Sequence, residues 1–169
     1  MAEVQADLAN LPDGDLTESG RTKLSRFEEV FVEQLRAYGL SSISPDSLSI
    51  SPESYKPIHA GFDIEFNNSA SDLIRTIWAY MVGLLETGRR FNVMHPGLLM
   101  LDEPRQQSAA KESFGTLLRR LSNTAATGQQ AVVATSEDLN SLAALIATAP
   151  YAITVLDFSG KIIQPLGRP

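Results

Sequence analysis

Residues 97–104 of the chain are GLLMLDEP, an apolar run that follows a His-Pro pair and ends at a proline. The run does not alternate between apolar and polar residues, which is typical of a strand buried on both faces of a parallel sheet. A second run of this kind, AVVATS, spans residues 131–136. Strands of this type occur mainly in α/β proteins, so these two stretches indicate the fold class.

Helical patterns flank the second run. Residues 107–125 predict an amphipathic helix, and residues 139–149 predict a shorter one. Beyond them, YAITVLDF (151–158) and KIIQPL (161–166) are expected to be closing strands joined by a Ser-Gly turn. The order strand, helix, strand, helix, strand predicts a parallel sheet with right-handed crossovers, and therefore an α/β fold.

Two longer helices are predicted upstream. A helical period of apolar residues over 15–38 predicts an amphipathic helix, and Gly39 is expected to end it because glycine takes the left-handed cap without steric cost. Over 72–86 the apolar residues nearly encircle the helix axis, so this helix is expected to be central and covered on most sides. Trp78 lies on it and is expected to be a core residue.

Short strands are predicted between these helices. Residues 41–57 are rich in Ser and Pro, with Leu48, Ile50 and Tyr55 as strand material. GFDIEF (61–66) alternates with the period of a half-buried strand, which places its three apolar residues on the buried side.

The composition excludes several classes of function. The 169 residues include 14 Lys plus Arg and 20 Asp plus Glu, a net charge of −6, which argues against nucleic-acid binding driven by overall charge. With no cysteine and two histidines, the chain has no disulfides, thiolate metal sites, cysteine nucleophiles or His-rich metal sites. No apolar run approaches the ~18 residues that span a bilayer, and the N-terminus lacks a signal pattern. We therefore expect one cytoplasmic domain without a membrane partner.

Two acids, Asp102 and Glu103, follow the apolar residues of the first strand. Ligands of parallel sheets bind beyond the carboxyl ends of the strands. In a nucleotide-hydrolysing site, Asp102 would hold Mg²⁺ directly or through water. Glu103 would orient and deprotonate the water that attacks the γ-phosphate. The alternative is that the pair is merely solvated at the end of a strand.

The sequence SASD at residues 69–72 begins the predicted central helix. Ser69, followed three residues later by Asp72, is a helix-start signal of the capping-box type. Small hydroxyl residues and free backbone N–H groups at the positive end of the helix dipole form a generic anion site, which suits a phosphate. The alternative is a plain N-cap.

Together these segments resemble a known family. SASDLIRTIWAY (69–80), HPGLLMLDEPRQQ (95–107) and QQAVVATSED (129–138) resemble the C-terminal half of an ATP-binding-cassette-type head. They are most similar to the coiled-coil ATPases of the structural-maintenance-of-chromosomes and double-strand-break-repair kind. The resemblance covers about 15–160 and implies the parallel-sheet C-terminal half of a P-loop NTPase with ATP and Mg²⁺ as cofactors.

The resemblance also implies a division of the chain and a role for each motif. Residues 1–14 would be a lead-in, 15–40 the end of a coiled-coil arm, and 41–169 the C-terminal lobe of the head. The signature motif would comprise Ser69, Ala70, Ser71 and Asp72. In the Walker B motif, residues 98–103, Asp102 would be the Mg²⁺ ligand and Glu103 the catalytic carboxylate. The D-loop would be residues 104–108, and the switch position would fall at Thr135-Ser136.

This chain departs from the family pattern at two motifs. The switch position carries Ser136, where cassette ATPases often have His, and SASD lacks the Gly-rich core of the transporter signature.

The P-loop, G-x-x-x-x-G-K-[ST], does not occur in the chain; the nearest spacing, Gly83 to Gly88, lacks the Lys and the hydroxyl. Without it the β- and γ-phosphates have no preformed cradle. We therefore expect a fragment or one part of a split gene, which hydrolyses ATP only with a P-loop-bearing N-terminal lobe and a second head as partners. The assembly would act in DNA repair or genome maintenance and contact DNA as a whole.

Two other functions stay open. One is a non-enzymatic interaction or dimerisation module with a degenerate nucleotide site. The other is a receiver- or hydrolase-like domain that uses Asp102 as an acceptor. Among the arginines, Arg105 is a candidate for contact across a head interface, whereas Arg119 and Arg120 are expected to form a solvated helix face.

Overall fold

The computed structural model describes residues 16–64, 69–91, 93–105 and 110–158. These residues form a mixed α/β structure, which confirms the predicted fold class at that level. Its four α-helices are α1 (Glu18–Tyr38), α2 (Ala70–Arg90), α3 (Lys111–Ser122) and α4 (Leu139–Ile146). Its five strands are β1 (Leu48–Ile50), β2 (Pro57–His59), β3 (Phe62–Asp63), β4 (Leu98–Asp102) and β5 (Gln130–Ala134). Residues 1–14, the predicted lead-in, lie outside the described residues.

Helix α1 ends at Gly39 as its sequence predicts, but it begins at Glu18 rather than at residue 15. The Thr17 hydroxyl oxygen accepts the Gly20 N–H at 3.1 Å, which caps the first turn. At the other end Gly39 has φ 76° and donates its N–H to the Arg36 carbonyl. The buried residues of α1 begin at Phe27 and continue to Tyr38, so the second half of the helix faces the core.

Helix α2 is the centre of the core, and its predicted start is confirmed. The Ser69 hydroxyl oxygen accepts the Asp72 N–H at 3.2 Å. Trp78 is buried and packs edge-on against Tyr38, with the ring centroids 5.9 Å apart. A Cβ on Gly83 would lie 2.9 Å from the Phe27 ring, so glycine lets α1 and α2 approach closely.

One face of α2 is open, contrary to the prediction that the helix is covered on most sides. Leu73, Ile77 and Met81 recur at intervals of four residues and are exposed. They line a groove of about 330 Å³ between α2 and the small antiparallel sheet. The apolar residues encircle the axis as predicted, but in the described residues α1, β4 and α3 contact α2 without covering this face.

The small sheet has the order β1-β2-β3 with antiparallel pairing. Leu48 and Ile50 are buried in β1, as predicted. Tyr55 instead lies outside the strands with φ 56°. In the described residues the predicted strand over 61–66 is reduced to Phe62–Asp63; Ile64 is buried as predicted, whereas Phe62 is exposed. Residues 65–66 lie outside the described residues.

The second sheet pairs β4 with β5 in parallel, with Leu98 opposite Gln130 and Asp102 opposite Ala134. This confirms the two strands that the apolar runs predict. The prediction of burial on both faces is wrong, because Leu98, Met100 and Val132 are exposed while Leu99 is buried. In the described part of the chain, core residues cover only one face of this sheet.

The predicted closing strand at 151–158 is also wrong for this structure. The segment has no secondary structure, and Tyr151, Val155, Leu156 and Phe158 are exposed. The physical reason is that no strand of the described residues pairs with it. The second closing strand, 161–166, lies outside the described residues. None of the described helices combines the length and apolarity that crossing a membrane requires.

Candidate functional site

The two predicted acids lie at the carboxyl end of β4. Asp102 is the last residue of the strand, and its side chain shares the exposed face with Met100, since residues two apart point to the same side. Glu103 follows with φ 42°, in the left-handed region that L-residues rarely adopt. Its N–H donates to the Ala134 carbonyl at 2.9 Å and extends the pairing of β4 with β5 by one bond. The acids therefore stand on a turn anchored to the neighbouring strand.

Ser136, the predicted switch residue, contacts this turn. Its hydroxyl donates to the Glu103 carboxylate at 3.1 Å, across 33 residues of sequence. Because β4 and β5 are parallel, the loops after both strands meet at the same edge of the sheet. The structure thus brings together two of the predicted site residues, a carboxylate and a hydroxyl.

Sequence reasoning missed Glu137, which ties the two loops together. Its side chain is 10% exposed, forms an ion pair with Arg105 and lies 3.9 Å from the Lys111 ammonium at the start of α3. Arg105, the candidate for an interface contact, therefore has a partner within its own chain. The only sequence signal was the position of Glu137 directly after the predicted switch residue. Of the predicted D-loop, residues 106–108 lie outside the described residues.

The predicted signature residues, 69–72, surround the start of α2 and differ in accessibility. Ser69 and Ala70 are exposed and Ser71 is half-buried, and the two serine hydroxyls lie 3.1 Å apart. Asp72 is 1% exposed. The serine hydroxyls are therefore the part of this motif that a phosphate can reach.

The carboxylate of Asp72 holds the chain rather than facing outward. It accepts the Ser42 N–H at 2.9 Å and pairs with the Arg75 guanidinium. Burial acts to raise the pKa of Asp72, but the hydrogen bonds from Ser42 and the bond and charge of Arg75 outweigh it and hold the pKa below its ordinary value. Asp72 is thus an ionised residue that joins the start of α2 to the loop after α1.

The serine end of α2 and the acid turn (residues 102–104) are separate within the chain but are joined through Trp78. Nine residues of helix separate Ser69 from Trp78, about 13 Å along the axis. The indole N–H of Trp78 then donates to the Pro104 carbonyl at 3.2 Å in a buried hydrogen bond. The sequence predicts Trp78 as a core residue but gives no sign of this bond.

The donor set at the acid turn fits only part of a cation's coordination shell. In the described residues no group of three or more His, Cys, Asp or Glu side chains is placed to hold a metal ion. Asp102 supplies an exposed hard oxygen ligand, and a Mg²⁺ ion that keeps several waters and binds phosphate oxygens needs few more from protein. The acid turn is thus compatible with a Mg²⁺–nucleotide complex held mainly from elsewhere.

The chain was also compared with protein-family models, with curated proteins and with solved structures, and none of them matches it. The resemblance to coiled-coil ATPases accordingly depends on residues 69–80, 95–107 and 129–138 and on their order along the chain.

Proposed function

We propose that the chain is the C-terminal lobe of an ATP-binding-cassette-type head of the coiled-coil ATPase kind, and that it contributes Walker B and signature residues to a composite ATP site. One observation carries the proposal. Glu103 stands at the carboxyl end of a parallel strand and accepts a hydrogen bond from Ser136 at the end of the neighbouring strand. This is where a nucleotide-hydrolysing sheet needs its carboxylate.

Each residue of the site has a chemical role in this proposal. Mg²⁺ supplies charge neutralisation at the phosphates, and Asp102 would hold it directly or through water. Glu103 orients a water for in-line attack and accepts its proton, and the Ser136 hydroxyl restricts the carboxylate to one direction. The Ser69 and Ser71 hydroxyls would bind the γ-phosphate of nucleotide held by a second head.

The open face of the parallel sheet supports a missing lobe. Parallel sheets are normally covered on both faces, and two strands alone are too few for independent stability. Here Leu98, Met100 and Val132 are exposed on one face, and 151–158 has the composition of a strand but no described partner. A P-loop-bearing lobe with strands and helices of its own would cover this face and complete the sheet.

Helix α1 fits the returning end of a coiled-coil arm in this proposal. Its residues 18–26 contribute no fully buried side chain, and of their hydrophobic residues Leu24 packs against the core while half-buried. An arm of this kind joins heads to a DNA-repair or genome-maintenance assembly, which we propose acts in the cytoplasm and contacts DNA as a whole.

The test combines the chain with a P-loop-bearing lobe of the same head and measures ATP turnover. We expect Glu103→Gln to lower kcat by about 100-fold or more, since general base catalysis contributes about that much. The matched control is Glu112→Gln, which neutralises an exposed carboxylate on the first turn of α3. Equal turnover for wild type and Glu103→Gln would remove Glu103 from catalysis.

A second candidate is a non-enzymatic interaction module, favoured by the same exposed sheet face and by the lack of a P-loop in the sequence. In that case the chain would bind its partner lobe with the same affinity in the presence and absence of ATP and Mg²⁺. Asp102→Ala and Glu103→Gln would both leave that affinity unchanged. A nucleotide-dependent affinity that Asp102→Ala abolishes would favour the ATPase lobe instead.

A further inference from the structure

Trp78, the only tryptophan of the chain, links the central helix to the acid turn. Its ring is 2% exposed and packs against Tyr38 and Phe114, with centroids 5.9 and 6.4 Å away. Packing alone would be satisfied by any aromatic ring of this size. The indole N–H does something further, because it donates to the Pro104 carbonyl at 3.2 Å, 26 residues away along the chain.

The acid turn needs such a bond because its backbone is strained. Glu103 has φ 42°, and a non-glycine residue keeps this conformation only where surrounding interactions over-determine it. Two of those interactions come from the β5 side: the Glu103 N–H bonds to Ala134, and Ser136 bonds to the Glu103 carboxylate. The hydrogen bond from Trp78 comes from α2 and holds Pro104, the residue after Glu103.

The Pro104 carbonyl also needs the indole N–H as its hydrogen-bond donor. Pro104 is buried, and a buried carbonyl that loses its donor bears the full cost of desolvation. A turn without this bond would relax so that the carbonyl reaches another donor or water. Such a relaxation changes the backbone next to Glu103 and therefore the direction of its carboxylate.

We infer that Trp78 is a positioning residue for Glu103, acting through the Pro104 carbonyl. This hydrogen bond joins the middle of α2 to the turn that carries the carboxylate. The effect of Trp78 on catalysis rests on the proposed function, whereas the support of the acid turn by its hydrogen bond does not.

The first experiment uses the full chain and removes only the N–H. Because the chain has one tryptophan, it can be replaced site-specifically by benzothienylalanine, in which sulfur takes the place of the indole N–H. Amide hydrogen exchange then reports the turn through the Glu103 N–H, which bonds to Ala134. We expect Glu103 exchange to become about tenfold faster while the Val82 amide in α2 keeps its rate. Unchanged Glu103 exchange would overturn the inference.

A second pair of variants separates the bond from the packing. Trp78→Phe removes the donor together with part of the ring, and Phe114→Leu removes ring volume from the same aromatic cluster while keeping the bond. We expect Glu103 exchange, measured relative to Val82, to rise in Trp78→Phe and to stay at the wild-type value in Phe114→Leu. An equal rise in both variants would mean that packing, not the indole N–H, holds the turn.

The last arm measures ATP turnover with a P-loop-bearing lobe. The benzothienylalanine variant should lower kcat about tenfold and leave KM within about twofold, because it misdirects the carboxylate without touching nucleotide. An unchanged kcat beside active wild type would overturn the positioning role in catalysis. If the wild-type assembly hydrolyses no ATP while the exchange result holds, the proposed function fails and the support of the turn by Trp78 stands.

Discussion

The Ser136 hydroxyl donates to the Glu103 carboxylate at 3.1 Å and joins the loops that follow two parallel strands. This bond occupies one carboxylate oxygen and leaves the other to accept a proton from water. A hydrogen bond to a charged group restricts the direction of that group more than a neutral one does. In the proposed site Glu103 is therefore the base, and Ser136 is the residue that orients its carboxylate.

We expect Ser136→Ala to lower kcat of the assembled head about tenfold, since a hydrogen bond to a charged group has about that worth. The free energy of unfolding of the chain should change by less than about 0.5 kcal/mol because Ser136 is exposed. Ser141→Ala is the control, as its hydroxyl contacts Lys111 rather than the acid turn. Steady-state ATP hydrolysis is the measurement, and a wild-type kcat in Ser136→Ala would contradict the assignment.

Arg120 joins three helices through one guanidinium. It contacts both carboxylate oxygens of Glu86 on α2, at 2.6 and 2.8 Å, and one oxygen of Glu33 on α1 at 2.6 Å. The hydrogen bonds from Arg120 to Glu86 hold the pKa of this guanidinium above its ordinary value. The sequence prediction of a solvated face is therefore wrong for Arg120.

We expect Arg120→Ala to lower the free energy of unfolding by about 2–3 kcal/mol, because it leaves the half-buried Glu86 without its bidentate partner. Arg119→Ala, on the adjacent position, should cost about 0.5 kcal/mol. In double-mutant cycles read by urea denaturation, the coupling of Arg120 to Glu86 should exceed that to Glu33, whose side chain is 55% exposed. Equal couplings would contradict this ranking.

The close approach of α1 and α2 at Gly83 gives a packing prediction. Gly83→Ala improves helix propensity by about 1 kcal/mol, yet its Cβ would lie 2.9 Å from the Phe27 ring. We expect a net loss of about 1–3 kcal/mol in the free energy of unfolding, measured in urea. Adding Phe27→Leu should recover part of that loss by relieving the overlap. If the losses from Gly83→Ala and from Phe27→Leu are additive in the double variant, the overlap with the Phe27 ring is not the cause of the loss in Gly83→Ala.

Local signals predicted the four helices and the caps at Gly39 and Ser69, whereas most other helix ends differ from the prediction by three or four residues. The cap at Gly39 depends on the backbone freedom of one residue, and the cap at Ser69 on a hydroxyl three residues from its donor. The apolar runs likewise located β4 and β5 because their composition depends on a buried face. All of these features depend on residues that are close in sequence.

What the sequence did not predict depends on distant partners. Met100 was expected to be buried, but its burial requires a second layer that the described residues lack. Residues 151–158 have the composition of a strand, but a strand also needs a neighbouring edge. Two contacts join residues that are 26 and 32 positions apart: the hydrogen bond from Trp78 to Pro104 and the ion pair of Glu137 with Arg105. No local sequence pattern predicts contacts over such distances.

Asp72 gives a prediction about pH. Its folded-state pKa lies below its ordinary value of about 3.9, so its ionised form adds stability above that pH and loses it as the pH falls through the folded pKa. We expect Asp72→Asn to lower the free energy of unfolding at pH 7 by about 1–3 kcal/mol. The difference from wild type should shrink between about pH 4 and the acid limit of folding.

Urea denaturation over a pH series measures this effect. The control is Asp138→Asn, an exposed helix cap whose pKa is also lowered, chiefly by a backbone hydrogen bond from Ser141. Asparagine caps a helix about as well as aspartate, so the free energy of unfolding of this variant should differ little from wild type throughout the pH series. If the difference in the free energy of unfolding between wild type and Asp72→Asn stays constant with pH, the charge of Asp72 contributes nothing to stability.

The open face of the parallel sheet gives a final prediction about assembly. Met100 is 69% exposed and stands opposite Val132 on that face, so Met100→Lys should change the free energy of unfolding by less than about 0.5 kcal/mol. A charge there would have to be desolvated under a covering lobe, so we expect association with the P-loop-bearing lobe to weaken by at least about 100-fold. Met94→Lys, in the loop before β4 and fully exposed, is the matched control and should bind like wild type. Light scattering after size-exclusion chromatography reports the complex, and its undiminished formation by Met100→Lys would place the partner on another surface.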